Sequence, residues 1–318
     1  MQLILGGNIF GYSLNRYESF QLLDQASNFG VHEIDTAGTY SLGVSESIIG
    51  DWIWDRGYQL STKIITKLEV EKVISAESFE ESLHRQFDAS LSRLRSDSIE
   101  TLLLHHFVFQ PEFLDRYLDF VEKKIEIGQI KHWGICNIAP KEFTFLVEKM
   151  VHRQLQEVTI QNYCNWAKRD FDYWSQFFTL TDGKKIRLNA ISYGVFGRGA
   201  LVHREYLKSV HDNFGKQRAL LNPLINQEKS NINLLDILRH IRDMAPNTEN
   251  PLERLALSFI LRQKSKVILG VRSIGQLNSI LESMRAQMSQ ALIKEILSHT
   301  KIPMTKLELN LGDSGFGI

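Results

Sequence analysis

The chain predicts a single (β/α)8 barrel. Short β-branched or leucine-rich runs alternate with longer amphipathic patterns, which is the signature of βαβ units around a parallel sheet. Eight such pairs follow one another, the number that closes a barrel. The runs end on polar residues again and again, and in a barrel the strand ends carry the chemistry. A length of 318 residues is compatible with one such domain spanning 1–318. A doubly wound open sheet usually has G-x-G-x-x-G after its first strand. Leu5-Gly6-Gly7-Asn8 does not match that pattern.

In chain order, the runs at Leu3–Leu5, Val31–Ile34, Gln59–Thr62 and Thr101–Leu104 predict the first four strands. His132–Ile135, Glu157–Ile160, Arg187–Ile191 and Val267–Leu269 predict the rest. Helices are expected at Tyr17–Asn28, Ser45–Trp54, Ala76–Leu94, Glu112–Glu126, Lys141–Met150, Phe171–Phe178, Pro251–Gln263 and Ile274–Arg285. The third shows the helical period well, with Phe79, Leu83, Phe87, Leu91 and Leu94 three or four residues apart. Pro251 suits a first helical turn, where its missing N–H costs nothing. Ser273 suits an N-cap. Residues 201–250 form a charged insertion after the seventh strand, with one helical pattern at Leu234–Met244. Its basic residues, His203, Arg204, Lys208 and Lys216, read as a solvated surface. Residues 286–318 form a C-terminal tail, helical near Ala291–Leu297 and then polar.

Composition narrows the partners. The formal net charge is +0, which argues against nucleic acid or an acidic membrane surface. No apolar run is long enough to span a bilayer. The N-terminus lacks the basic and apolar regions of a secretory signal. Cys136 and Cys164 do not make a disulfide framework, so a cytoplasmic setting is expected. No clustered His/Cys pattern has metal-ligand spacing.

Asp35, Lys63 and His105 stand where the second, third and fourth runs close, and Tyr40 lies in the loop after Asp35. A phenol has an ordinary pKa near ~10, high for proton donation at neutral pH. A nearby ammonium favours the phenolate and lowers that value. Lys63 is the expected ammonium, because it closes its apolar run, and Lys67 reads as a solvated loop lysine. Asp35 would hold the amine charged and oriented. His105 is preferred to His106 because residues alternate faces along a strand. Such a set would protonate a carbonyl oxygen as hydride arrives at its carbon.

The stretch IDTAGTYSLGVSE, Ile34–Glu46, resembles the signature of the aldo-keto reductase family. Similar segments follow in order: STK at Ser61–Lys63, SLSRLRSDSIETLLLHH at Ser90–His106, and GQIKHWGICN at Gly128–Asn137. QNYCNWAKRD at Gln161–Asp170, SYGVFGRGAL at Ser192–Leu201 and ILGVRSIGQL at Ile268–Leu277 complete the set. The resemblance implies a catalytic tetrad of Asp35, Tyr40, Lys63 and His105. It implies that Cys136, Asn137 and Gln161 hold a nicotinamide carboxamide, joined by Asp35, and that Tyr193 stacks on the ring. Gly194, Phe196 and Gly199 fall on the loop under the pyrophosphate. Gly6, Gly7 and Asn8 after the first strand also fall beside the cofactor, as do Gly270, Arg272 and Gln276 after the last. Arg272 would read an adenosine 2′-phosphate. The implied cofactor is NADPH, with NADH the alternative, and the partner is a small carbonyl substrate. The β-hairpin usual before the first strand is missing from the pattern. Ser-Pro is common in the family where Gly194-Val195 stand, and Asn where Ile280 stands. The resemblance also admits a cofactor-binding sensor or regulatory subunit without turnover, and a reductase of a sugar or nucleotide-linked sugar. A barrel lyase using Lys63 as a Schiff base is a further rival.

Overall fold

The computed structural model describes residues 3–70, 75–108, 110–166, 177–179, 185–199, 201–202, 234–262, 265–285 and 288–299. The strands are β1 (Leu3–Gly6), β2 (Glu33–Asp35), β3 (Lys63–Leu68), β4 (Ile99–Leu104), β5 (Ile130–Cys136), β6 (Glu157–Tyr163), β7 (Phe177–Thr179), β8 (Lys185–Tyr193) and β9 (Lys266–Leu269). The helices are α1 (Arg16–Asn28), α2 (Val44–Arg56), α3 (Ala76–Leu94), α4 (Pro111–Glu126), α5 (Pro140–His152), α6 (Leu234–Met244), α7 (Pro251–Arg262), α8 (Ile274–Arg285) and α9 (Gln290–His299). All strands except β7 run parallel in the order β6-β5-β4-β3-β2-β1-β9-β8. Pairing of β6 with β8, from Glu157↔Arg187 to Tyr163↔Tyr193, closes the ring. The expected single-domain (β/α)8 barrel is what forms.

Local chemistry accounts for the helix bounds. Asn15 and Glu18 make a reciprocal capping box on α1. Ser75 caps α3, which spans Ala76–Leu94 as its periodicity predicts. Pro111 and Pro140 open α4 and α5 at positions that need no N–H. Gly57 ends α2 in the left-handed conformation. Among the described residues, no helix is long and apolar enough to cross a membrane.

Two expectations need correction. Gln59–Thr62 is not a strand. Ser61 N and Thr62 N both donate to Tyr58 O, at 3.1 and 3.0 Å, so a turn consumes these donors, and Leu60 is fully exposed. The third strand is Lys63–Leu68 instead, built on the buried β-branched pair Ile64-Ile65. The helix expected over Phe171–Phe178 also fails where it can be judged. Phe177–Thr179 is β7, antiparallel to β8, and 171–176 lie outside the described residues. The patterns at Leu234–Met244 and Ala291–Leu297 form α6 and α9. Residues 203–233 of the insertion, with its named basic side chains, and 300–318 of the tail lie outside the described residues.

Two apolar clusters separate inside from outside. The large one packs helices against the outer barrel wall. The small one fills the lumen with Ile4, Ile65, Leu103, Ile191 and Ile268, under Tyr193. Side chains alternate along a strand, so the next lumen-facing residue lies two further on. Counting up from that layer gives Gly6, Lys67, His105, Tyr193 and Gly270. The same register on β2, β5 and β6 gives Asp35, Cys136 and Gln161. One layer of the barrel therefore collects these residues at its C-terminal mouth.

Candidate active site

Lys67, not Lys63, is the amine of this layer. The Lys67 side chain is fully buried, and its Nζ donates to both Asp35 carboxylate oxygens at 2.8 and 2.9 Å. It also donates to Thr36 O at 2.7 Å and to Tyr40 Oη at 3.2 Å. Lys63 is four residues lower on β3, roughly 13 Å at the rise of a strand. There it is half exposed and pairs with Glu100 at 3.6 Å. The expectation for Lys63 is thus overturned by the true start of β3. Lys67 continues the lumen register of Ile65, whereas Lys63 belongs to the barrel floor.

Burial alone would push the Lys67 amine down, but Asp35 and then Tyr40 outweigh it and hold the amine above the ordinary lysine value. Tyr40 differs from expectation. Burial raises its phenol above the usual value, and the lowering by Lys67 does not cancel this. The Tyr40 phenol is therefore neutral at physiological pH, with the Lys67 ammonium against its oxygen.

The loop carrying Tyr40 is anchored at several points. Ser45 Oγ donates to Gly7 O at 2.8 Å and lies 2.9 Å from Thr36 Oγ1. Gly7 N donates to Asp35 O at 2.8 Å, which ties the β1 and β2 ends together. Ser41 and Leu42 hold positive φ of 50° and 56°, a costly conformation for such residues. Ser41 Oγ donates to Phe10 O at 2.9 Å and helps to retain it. Behind the loop, the buried Glu46 accepts from Thr66 and from Arg93.

His105 faces the site. Its ring meets that of Tyr40 edge-on at 5.9 Å. Its Nδ1 lies 3.0 Å from Glu69 Oε2. The exposed His106 also reaches Glu69, with Nδ1 3.5 Å from Oε1. The alternation that should separate the two rings lapses because β4 ends at Leu104. His105, ahead of burial and then His106, keeps the Glu69 carboxyl below its usual range. Glu69 is the residue that sequence reasoning misses. Its signal is its position two residues beyond Lys67, visible only once β3 is placed.

Cys136, Asn137 and Gln161 meet as expected at the ends of β5 and β6. Cys136 Sγ donates to Gln161 Oε1 at 3.1 Å, and Gln161 Nε2 donates to Asp35 Oδ1 at 2.7 Å. Burial drives the Cys136 thiol up to about 12, so it remains neutral. Asn137, at a positive φ of 57°, donates to His105 O at 3.0 Å and accepts from Tyr193 Oη at 2.5 Å. Tyr193 packs edge-on to Tyr163 at 5.6 Å. Gly194 has φ 70°, and a Cβ there would strike the Tyr163 ring. Phe196 is half-buried, and Gly197–Gly199 form a short 3-10 turn after it. Gly6 and Gly7 leave little room for a Cβ, Asn8 is exposed, and Gly270 borders open space. Arg272 and Gln276 are exposed at the start of α8, where Gln276 Oε1 accepts from Arg272 N at 2.8 Å. Ser273 Oγ caps that helix by accepting from Gln276 N at 3.2 Å. Ile280 is buried in the core.

A model of the aldo/keto reductase family matches residues 2–301. The chain is 23% identical to the uncharacterized oxidoreductase YrpG of Bacillus subtilis over 310 residues, covering 92% of this chain and 90% of that protein. It is 25% identical to norsolorinic acid reductase B of Aspergillus parasiticus over 303 residues, covering 87% and 75%. Two solved structures share the fold. A glycerol dehydrogenase from Gluconobacter oxydans superposes with a TM-score of 0.71 at 19% identity, covering 95% of this chain and 93% of that one. An aldo/keto reductase from Klebsiella pneumoniae, solved with NADP and acetate, has a TM-score of 0.67 at 19% identity with the same coverage.

Proposed function

The chain belongs to the aldo/keto reductase family, an oxidoreductase family using nicotinamide cofactors, and from that premise we propose that it reduces a small aldehyde or ketone to an alcohol with NADPH. The observation that carries this reading is the buried Asp35–Lys67–Tyr40 chain with His105 at its edge. Tyr40 Oη is the proton donor. Lys67 stabilises the phenolate left behind, since its ammonium already touches the oxygen. Asp35 keeps that ammonium charged and fixed. His105 orients the carbonyl oxygen beside Tyr40.

The chain's own residues fit a dinucleotide. Cys136, Asn137 and Gln161 present an amide-rich cluster at the mouth, suited to a carboxamide. The half-exposed Tyr193 offers an aromatic face, and Gly270 leaves the backbone uncovered at the end of β9. Arg272 at the start of α8 suits a phosphate, because a helix N-terminus and a guanidinium both attract anions. When bound, the cofactor supplies the hydride.

The test is Tyr40→Phe. Loss of a positioned general acid costs about 10²–10⁴ in rate. Turnover of a carbonyl panel should fall by at least that much, while NADPH binding followed by fluorescence stays intact. A variant retaining most of its activity would refute the mechanism. Wild-type protein that binds NADPH but reduces no carbonyl would favour the sensor reading.

A further inference from the structure

We propose that Glu69, His105 and His106 form a binding site for a divalent transition metal of the zinc class, and that its occupation shuts down the carbonyl chemistry assigned above to His105. The inhibitory half rests on that assignment. The site itself rests on geometry alone. One oxygen of Glu69 lies 3.0 Å from His105 Nδ1 and the other 3.5 Å from His106 Nδ1. The three residues each offer a ligand atom, all within 4.8 Å of one another. Tetrahedral zinc with bonds of about 2.0–2.1 Å places neighbouring ligand atoms about 3.3 Å apart. The two observed separations, each to a different Glu69 oxygen, lie on either side of that edge.

His105 Nδ1 is buried, and the Glu69 carboxylate that it faces at 3.0 Å turns its other oxygen to His106. Two imidazoles and one carboxylate suit zinc, cobalt, nickel or copper rather than magnesium or calcium. The sequence hid this set, because its members come from two separate strand ends. The rings of His105 and His106 are 5.0 Å apart, and Tyr40 lies 5.9 Å beyond His105. A dication held at His105 Nδ1 fixes the ring that the proposed function uses to orient the carbonyl.

The experiment uses the full chain with Co²⁺ and then Zn²⁺. One equivalent of Co²⁺ should give the visible absorption of a nitrogen- and oxygen-ligated ion, displaced by Zn²⁺ and erased by chelator. Zn²⁺ should inhibit aldehyde reduction reversibly. His106→Ala, which leaves Tyr40, Lys67 and Asp35 untouched, should keep basal turnover. Its Zn²⁺ sensitivity should drop by more than about tenfold, since even indirect partners of a metal site are worth about 10–100-fold in affinity. Glu69→Gln should weaken Co²⁺ binding in the same direction. The site is overturned if Co²⁺ gives no absorption, or if His106→Ala binds it as tightly as the parent. Zn²⁺ that binds without slowing turnover overturns the inhibitory role. A protein that binds Co²⁺ through these residues but reduces no carbonyl keeps the site and refutes the proposed function instead.

Discussion

The two lysines of β3 test the site residue by residue. Lys67→Met would leave Asp35 buried without its cation, and breaking a buried pair in this way costs about 3–5 kcal/mol. Turnover should vanish with it. Lys63→Met removes only an exposed partner of Glu100, and exposed pairs contribute about 0–1 kcal/mol. Urea unfolding and a carbonyl assay on both variants separate the two, and equal effects would refute the assignment of Lys67. Asp35, Tyr40 and His105 are legible in the sequence, because each closes or follows a run whose end is unambiguous. Lys67 is not, because Thr-Lys occurs twice and the choice depends on where β3 begins. Gln59-Leu60-Ser61-Thr62 looks extended, yet Tyr58 O draws its amides into a turn. The phenol escapes sequence reasoning for a different reason: charge proximity shows in a motif, but the depth of burial does not.

Elements are easier to read than their ends. Helices with strong period and clear caps, such as α3 and α8, form over the expected residues. Apart from β3, strand ends move by at most three residues, and most of the shifts are extensions, because pairing with neighbours carries a strand beyond its apolar run. The β5–β6 contact shows how little freedom the barrel leaves. Gly134 faces the lumen opposite Thr159, and a Cβ there would strike the Thr159 carbonyl. Backbone on both sides prevents relief by a rotamer change. Gly134→Ala should therefore destabilise the fold by more than about 3 kcal/mol, at the severe end for single substitutions. It should also disturb Cys136 and Gln161 two residues above. A thermal midpoint within a few degrees of the parent would show that the strands can part at no such cost.

At the scale of the molecule, the barrel buries protonated groups in its mouth and wall, and this sets its response to alkali. Cys136 is raised by burial to about 12, from 9.0. Tyr40 and Tyr117 are both raised above 10.0, again by burial first. Lys67 is also raised, chiefly by Asp35 against its burial. In every case the folded chain holds its proton at a pH where the unfolded chain releases it. A raised value contributes stability fully below the unfolded pKa and loses it as pH climbs toward the folded one. The loss should begin near pH 9, where the unfolded thiol ionises, and continue past pH 11. A tenfold change in an acid's ionisation constant is worth about 1.4 kcal/mol, so Cys136 alone should remove about 2 kcal/mol between pH 9 and pH 11. Urea titrations across that range should show unfolding free energy falling by at least this amount. Cys136→Ser, which keeps a small hydrogen-bonding side chain but does not titrate there, should flatten the slope by about the same 2 kcal/mol. A parent protein whose stability is level from pH 9 to pH 11 would mean that water reaches the thiol and the two phenols. The closed layer built on Asp35 and Lys67 would then be more open than its geometry requires, and Tyr40 would lose the burial that keeps it a neutral acid.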